Sequence, residues 1–153
     1  MAPALARIGI GSNVGDAAAN VRAAFDALAA AGTVIARSSL YSTKAWGVTE
    51  QPDFYNAAVL LETTLDPHVL LRELKAIERT MGRVETYRWG PRVIDLDILA
   101  YDDVQLNEPE LTIPHARLHE RAFALVPLAE IDAMFGPLLD RLDPVARAQV
   151  IRL

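Results

Sequence analysis

Twice in this chain an apolar run meets a turn, then a helix that ends at a glycine, then a further apolar run. That alternation limits the available folds more than any other feature. Residues 5–10 read as a short buried strand closed by Gly11-Ser12-Asn13. An Ala-rich amphipathic helix follows over 16–31, with Val21, Ala24, Phe25 and Leu28 on one stripe and Gly32 behind it. Asn13 or Asp16 is expected to cap it. Residues 33–43 read as one strand, 44–53 as a loop, and 54–64 as a second long strand. Asp66-Pro67 then opens a helix through Leu70, Leu71, Leu74 and Ile77, ending at Gly82. A polar loop over 83–91 leads to a strand over 93–100 and a tight turn at Asp102-Asp103. A short returning strand is expected over 104–106, and a helix from His119 or Glu120 to Ile131 that Pro127 interrupts or ends early. The tail from Asp132 carries little signal. The β-α-β, β-α-β order predicts an α+β fold of the ferredoxin-like kind, a mainly antiparallel sheet flanked by helices, as a single domain over 1–153.

The length of 153 residues suits one domain with a real core. A net charge of −5 offers no basic field for nucleic acid or an anionic membrane. A polyanionic ligand would therefore need local positive charge, assisted by metal. The absence of cysteine excludes disulfides and thiolate metal sites. No signal-peptide core or membrane-length apolar run is present, so a cytoplasmic protein is expected. The 13 Arg against 2 Lys fit a genome that favours Arg and Ala codons, so each arginine needs its own argument.

The chemistry concentrates in Arg88-Trp89-Gly90-Pro91-Arg92-Val93-Ile94-Asp95-Leu96-Asp97. In a strand, residues two apart face one side, so Asp95 and Asp97 project together, roughly 6.6 Å apart along the strand. Asp is a poor strand residue, and two of them among aliphatics need a reason. Shared hard cations supply one, with Mg²⁺ favoured; the plain alternative is a solvated strand face. Arg83, Arg88 and Arg92 suit phosphate oxygens, or equally a soluble surface or pairing with Glu78 and Glu85. Metal plus arginine is the equipment of phosphoryl-type transfer from a nucleotide.

Phe54 and Asn56 also fall two apart, an aromatic ring beside an amide, which suits a flat heterocycle; a core Phe with an Asn at a strand entry is the alternative. Phe123 has the same two readings. Gly11-Ser12-Asn13-Val14-Gly15-Asp16 joins a strand to a helix but lacks the Gly-Lys-Ser/Thr ending of a phosphate loop, so it reads as a structural turn. With only three histidines and no His/Glu/Asp cluster at metal spacing along the chain, zinc is not expected. His115 is better placed as a phosphate partner, with His68 and His119 on the surface. Besides phosphoryl-type transfer from a nucleotide to such a heterocycle, two readings stay open on these residues. One is another metal-dependent phosphotransferase, the other a small-molecule-sensing module whose carboxylates are surface groups.

Taken in order, Gly11-Ser12-Asn13-x-Gly15, Tyr41-x-Thr43, Gln51-Pro52-x-Phe54-x-Asn56-Ala57 and Gly82-Arg83 resemble one family, 6-hydroxymethyl-7,8-dihydropterin pyrophosphokinase. The match continues through Arg88-Trp89-Gly90-Pro91-Arg92, Asp95-Leu96-Asp97-Ile98, Pro114-His115 and Arg121-x-Phe123. The resemblance implies transfer of pyrophosphate from ATP to the pterin hydroxymethyl oxygen, releasing AMP, in folate biosynthesis. It implies two Mg²⁺ ions on Asp95 and Asp97, and Phe54 and Phe123 sandwiching the pterin. Asn56 and the backbone near Thr43 would read the pterin edge, and Trp89 and Arg92 would close over the substrates. Arg83 and Arg92, with Asp97, would carry catalysis. Glu78, Arg92, Ile98, Thr112, His115 and Arg121 would hold ATP. A monomer is expected, with ATP and the hydroxymethyl-dihydropterin as its small-molecule partners. The chain departs from the family's usual pattern at Ala45, Glu85 and Ala116, so no phosphate role passes to Glu85 and no stacking role to Ala116.

Overall fold

The computed structural model describes residues 2–43, 52–82 and 92–153. In β1 (Ala4–Ser12), Ala6, Ile8 and Ile10 turn to one face of the sheet and the residues between them to the other. Gly15, at φ 67°, turns the chain out of the strand. Asp16 then caps α1 (Ala17–Ala27) by accepting the Ala19 amide at 3.1 Å. Asn13, the other expected cap, is engaged elsewhere. Behind α1, Gly32 lies so close to the next layer that a methyl would stand 2.3 Å from the Glu62 carbonyl oxygen.

The single strand expected over 33–43 is two strands, β2 (Thr33–Arg37) and β3 (Tyr41–Thr43), both antiparallel to β4 (Phe54–Thr63). Serines cause the break. Ser38 Oγ accepts the Ala58 amide at 2.9 Å and donates to the Ser39 carbonyl at 2.8 Å. The Ser38 amide still donates to the Ala58 carbonyl at 2.9 Å, but the return bond from the Ala58 amide goes to the Ser38 hydroxyl instead of its carbonyl. Asp66 caps α2 (Pro67–Thr80) through the Val69 amide, as its Asp-Pro pattern predicts. β5 (Asp95–Tyr101) returns antiparallel to β1.

The sheet order is β5-β1-β4-β3, with β2 also on β4. Each crossover helix skips a strand position. β4 fills the gap between β1 and β2, and β1 fills the gap between β4 and β5, so every neighbouring pair is antiparallel. This is the expected α+β sandwich. α1, the turn that follows it at Leu28, and α2 bury Val21, Leu28, Leu70 and Leu74 against Ile8, Val59, Leu61, Leu96 and Ile98 on one face. On the other face α3 (Ala122–Ile131) packs Leu125 and Leu128 near Ala58 and Leu99.

Pro127 neither interrupts nor ends α3. Its ring is buried, and the helix forgoes only the bond its missing N–H would have made four residues back, to Phe123. The tail, nearly silent in sequence, is structured. α4 (Gly136–Asp140) and α5 (Pro144–Ala148) extend the α3 side, burying Phe135 and Leu142. The returning strand lies at β6 (Leu106–Asn107) and pairs with β7 (Thr112–Ile113), apart from the main sheet. The chain ends in β8 (Ile151–Arg152), which extends the main sheet beside β3. Among the described residues no helix is long and apolar enough to cross a membrane.

Candidate active site

Register sets three strands side by side where the chemistry lies. Gly11 pairs with Asp95 on one side and with Asn56 on the other; Gly9 pairs with Asp97 and with Ala58. Directly paired residues of antiparallel strands project to the same face. Asp95, Asp97, Asn56 and Phe54 therefore share the face opposite α1 and α2, while Leu96 and Ile98 enter the core beneath. At the usual strand spacing Asp95 and Asn56 stand about 10 Å apart with glycine between them. The result is a short glycine strip, with Leu99 packed over Gly9, bordered by two carboxylates and by an aromatic–amide corner at Gly11.

That corner is tight. A Cβ on Gly11 would lie 3.1 Å from Asn56 Nδ2 and 3.7 Å from Phe54 Cδ1. Asn56 is 5% exposed, and its Oδ1 has no hydrogen-bond partner among the described residues. A buried acceptor left unpaired costs about 1–3 kcal/mol, which an N–H-bearing ligand relieves. Thr43 pairs with Phe54 at the end of β3, bringing its backbone beside the same corner.

Asp95 and Asp97 are half-buried. Their neighbours on β1 are glycines; Leu99 packs over Gly9, where a Cβ would lie 3.2 Å from its methyls, so the glycine beside the Asn56 corner is Gly11. Two hard carboxylates on one strand face fit Mg²⁺. Glu78, buried on α2, accepts the Leu96 amide at 2.7 Å and so ties down the backbone between the two aspartates. Ile98 turns its side chain into the core at 3% exposure, which leaves only its main chain for a nucleotide.

His115 is fastened at the outer side of β5 by its amide, which donates to the Leu99 carbonyl at 2.9 Å. Burial, and then the Arg121 charge, push its pKa below the usual histidine range, against an opposing pull from Asp95. Its Nδ1 accepts the Arg117 amide at 3.3 Å, so the neutral ring carries its proton on Nε2 as a donor. The same charges show that His115, Arg121 and Asp95 share one neighbourhood. The Arg121 guanidinium lies 5.5 Å from the Phe123 ring centroid at the start of α3. Thr112 donates to the Glu108 carbonyl at 3.4 Å within the β6–β7 turn. Arg92 enters β5 with its backbone held by Asn13.

Arg83, Arg88 and Trp89 lie outside the described residues, as do Ala45 and Glu85. Sequence reasoning missed Gly9, Gly11 and Asn13 as site residues. β1 runs two residues further than expected, so Gly11 is strand floor rather than turn. The sequence spacing shows no His/Glu/Asp cluster, but among the described residues one assembles in space. His68 Nε2 lies 2.9 Å from Glu108 Oε1, and Glu110 joins them within 4.8 Å. These residues come from the start of α2 and from the segment between β6 and β7, which only tertiary structure joins. Along α2 the cluster is about 15 Å from Glu78.

Comparison with known proteins bears on this arrangement. Residues 7–133 match the family model for 7,8-dihydro-6-hydroxymethylpterin-pyrophosphokinase. The chain is 49% identical over 148 residues to the 2-amino-4-hydroxy-6-hydroxymethyldihydropteridine pyrophosphokinase of Methylorubrum extorquens, covering 91% of this chain and 94% of that protein. It is 43% identical over 129 residues to the Bacillus subtilis protein of the same name, covering 83% and 77%. Among solved structures, the wild-type HPPK-DHPS of Plasmodium falciparum superposes with a TM-score of 0.70 at 16% identity. That match spans 91% of this chain and 44% of the other, and it speaks to the fold alone. With the family model matched over most of the chain and near-full-length relatives close to half identical, the chain belongs to the 7,8-dihydro-6-hydroxymethylpterin-pyrophosphokinase family, enzymes of folate biosynthesis.

Proposed function

We propose that the row Asp95–Gly11–Asn56 is where this chain joins its two substrates, transferring pyrophosphate from ATP to the hydroxymethyl oxygen of 6-hydroxymethyl-7,8-dihydropterin. The observation that carries this reading is the buried, unpaired Asn56 Oδ1 beside Phe54 on the face of the aspartate pair. A pterin lying over Gly11 would supply ring N–H donors to that oxygen, rest on Phe54, and meet Phe123 from the α3 side. Backbone near Thr43 would complete the edge contacts, and Trp89 would cover the ring.

Asp95 and Asp97 would hold Mg²⁺, two ions being expected, which when bound offset the charge of the phosphate oxygens. His115 in its neutral form would donate from Nε2 to a phosphate oxygen. Arg121 and Thr112 approach from the same outer side, and the Ile98 main chain and the Glu78 end of α2 would border the nucleotide. The hydroxymethyl oxygen attacks the β-phosphorus, and the bond from that phosphorus to the α–β bridging oxygen breaks. AMP departs with that oxygen, and the hydroxyl proton is released. Arg83 and Arg92 would neutralise charge that grows during transfer, so positioning and electrostatics do most of the catalysis. β8 closing the sheet beside β3 supports one domain over 1–153.

Incubation with Mg·ATP and hydroxymethyl-dihydropterin is expected to give AMP and the pterin diphosphate. ADP as product would point to an ordinary kinase, and no product from folded protein would refute the proposal.

A further inference from the structure

We propose that Asn13 is a positioning residue that sets the strand entries on both sides of the glycine row, an inference that rests on the site reading above. Asn13 is 2% exposed. Its Nδ2 donates to the Pro52 carbonyl at 3.1 Å, and its Oδ1 accepts the Arg92 amide at 2.8 Å. Its own amide donates to the Arg92 carbonyl at 3.0 Å.

Pro52 stands just ahead of Phe54 and Asn56, and Arg92 just ahead of Asp95 and Asp97. One side chain thus spends its donor end on the ring-binding side and its acceptor end on the carboxylate side. Asparagine is suited to this because its short amide carries both functions. Aspartate supplies only acceptors, and alanine supplies neither. The bonds bridge 39 and 79 residues of chain, so they fix relations that neither strand sets by itself. They also give Asn13, at the end of β1, a purpose that neither a phosphate loop nor a helix cap accounts for, since Asp16 is the cap.

The two ends can be cut separately. Asn13→Asp keeps an oxygen for the Arg92 amide and removes the donor to Pro52. The pterin dissociation constant should rise about tenfold, and that of a Mg-bound non-hydrolysable ATP analogue should stay within about twofold. Asn13→Ala removes both ends, so both constants should rise about tenfold. In the unliganded protein the Arg92 amide should exchange with solvent faster in Asn13→Ala but not in Asn13→Asp.

A merely structural role predicts something else: a lower melting temperature in Asn13→Ala with both substrates bound as in wild type. That result would overturn the proposal, as would equal effects of Asn13→Asp on the two substrates. Failure of the site reading looks different again, because the wild type would then not bind the pterin. Arg92 amide exchange would still report the Asn13 contact. Should Asn13→Ala fail to fold, the split between substrates in Asn13→Asp decides the matter.

Discussion

Gly11 works by what it lacks. It sits between Asp95 and Asn56 in one cross-strand row, and an added methyl would press on Asn56 and approach Phe54. Gly11→Ala should therefore raise the pterin dissociation constant about tenfold while ATP-analogue affinity stays within about twofold, as titration calorimetry would show. Equal weakening of both would mean that the glycine serves the sheet rather than the pocket. Side chains with strand periodicity were legible in the sequence: Asp95 with Asp97, and Phe54 with Asn56, face together as alternation requires. The glycines were not, because glycine beside Ser-Asn reads as a turn unless the extent of the strand is known. Nor could sequence show that Glu78 meets Leu96, or that His115 sits near Arg121 and Asp95, since register and packing create those contacts.

Among the elements, α3 bears most directly on the site, because it carries Phe123 near its start and Glu130 near its end. Glu130 accepts the Ser39 amide at 3.0 and 3.1 Å, the Ser39 hydroxyl at 3.2 Å and the Tyr41 hydroxyl at 2.6 Å. Burial and this carboxylate push the Tyr41 pKa up to about 12, so the phenol remains a donor through the physiological range. The clamp joins α3 to the break between β2 and β3. Glu130→Ala should lower unfolding free energy by about 2 kcal/mol in denaturant titrations and weaken pterin binding several-fold. Unchanged stability would show that these bonds only replace equivalent ones to water. The elements that sequence described best have their own local signals, such as Asp66-Pro67 ahead of α2. Asp143-Pro144 repeats that signature ahead of α5, where Asp143 accepts the Val145 amide at 3.0 Å. Five residues are too few for a helical period to show beside it in the sequence. Tertiary burial likewise outweighed the breaking tendency of Pro127.

At the scale of the molecule, two interlocked crossovers give the sheet one face for a core and one face for chemistry. The first is sealed by α1 and α2. The second is covered by α3 and the tail around Ala58 and Leu99, and leaves the glycine row facing Asp95, Asp97, Phe54 and Asn56. The overall charge of −5 makes local cations necessary for a polyphosphate, and Arg121 beside His115 supplies part of that need. Fold class was legible because the β-α-β order leaves few topologies, whereas the tail and its β8 pairing beside β3 depended on contacts far apart in sequence. The most direct test is a crystal structure of the protein with Mn²⁺ in place of Mg²⁺, a non-hydrolysable ATP analogue and the pterin. Two anomalous peaks on Asp95 and Asp97, with the ring over Gly11 against Phe54 and hydrogen-bonded to Asn56, are the predicted result. Metal bound only at His68, Glu108 and Glu110, or a pterin bound away from the glycine row, would contradict it.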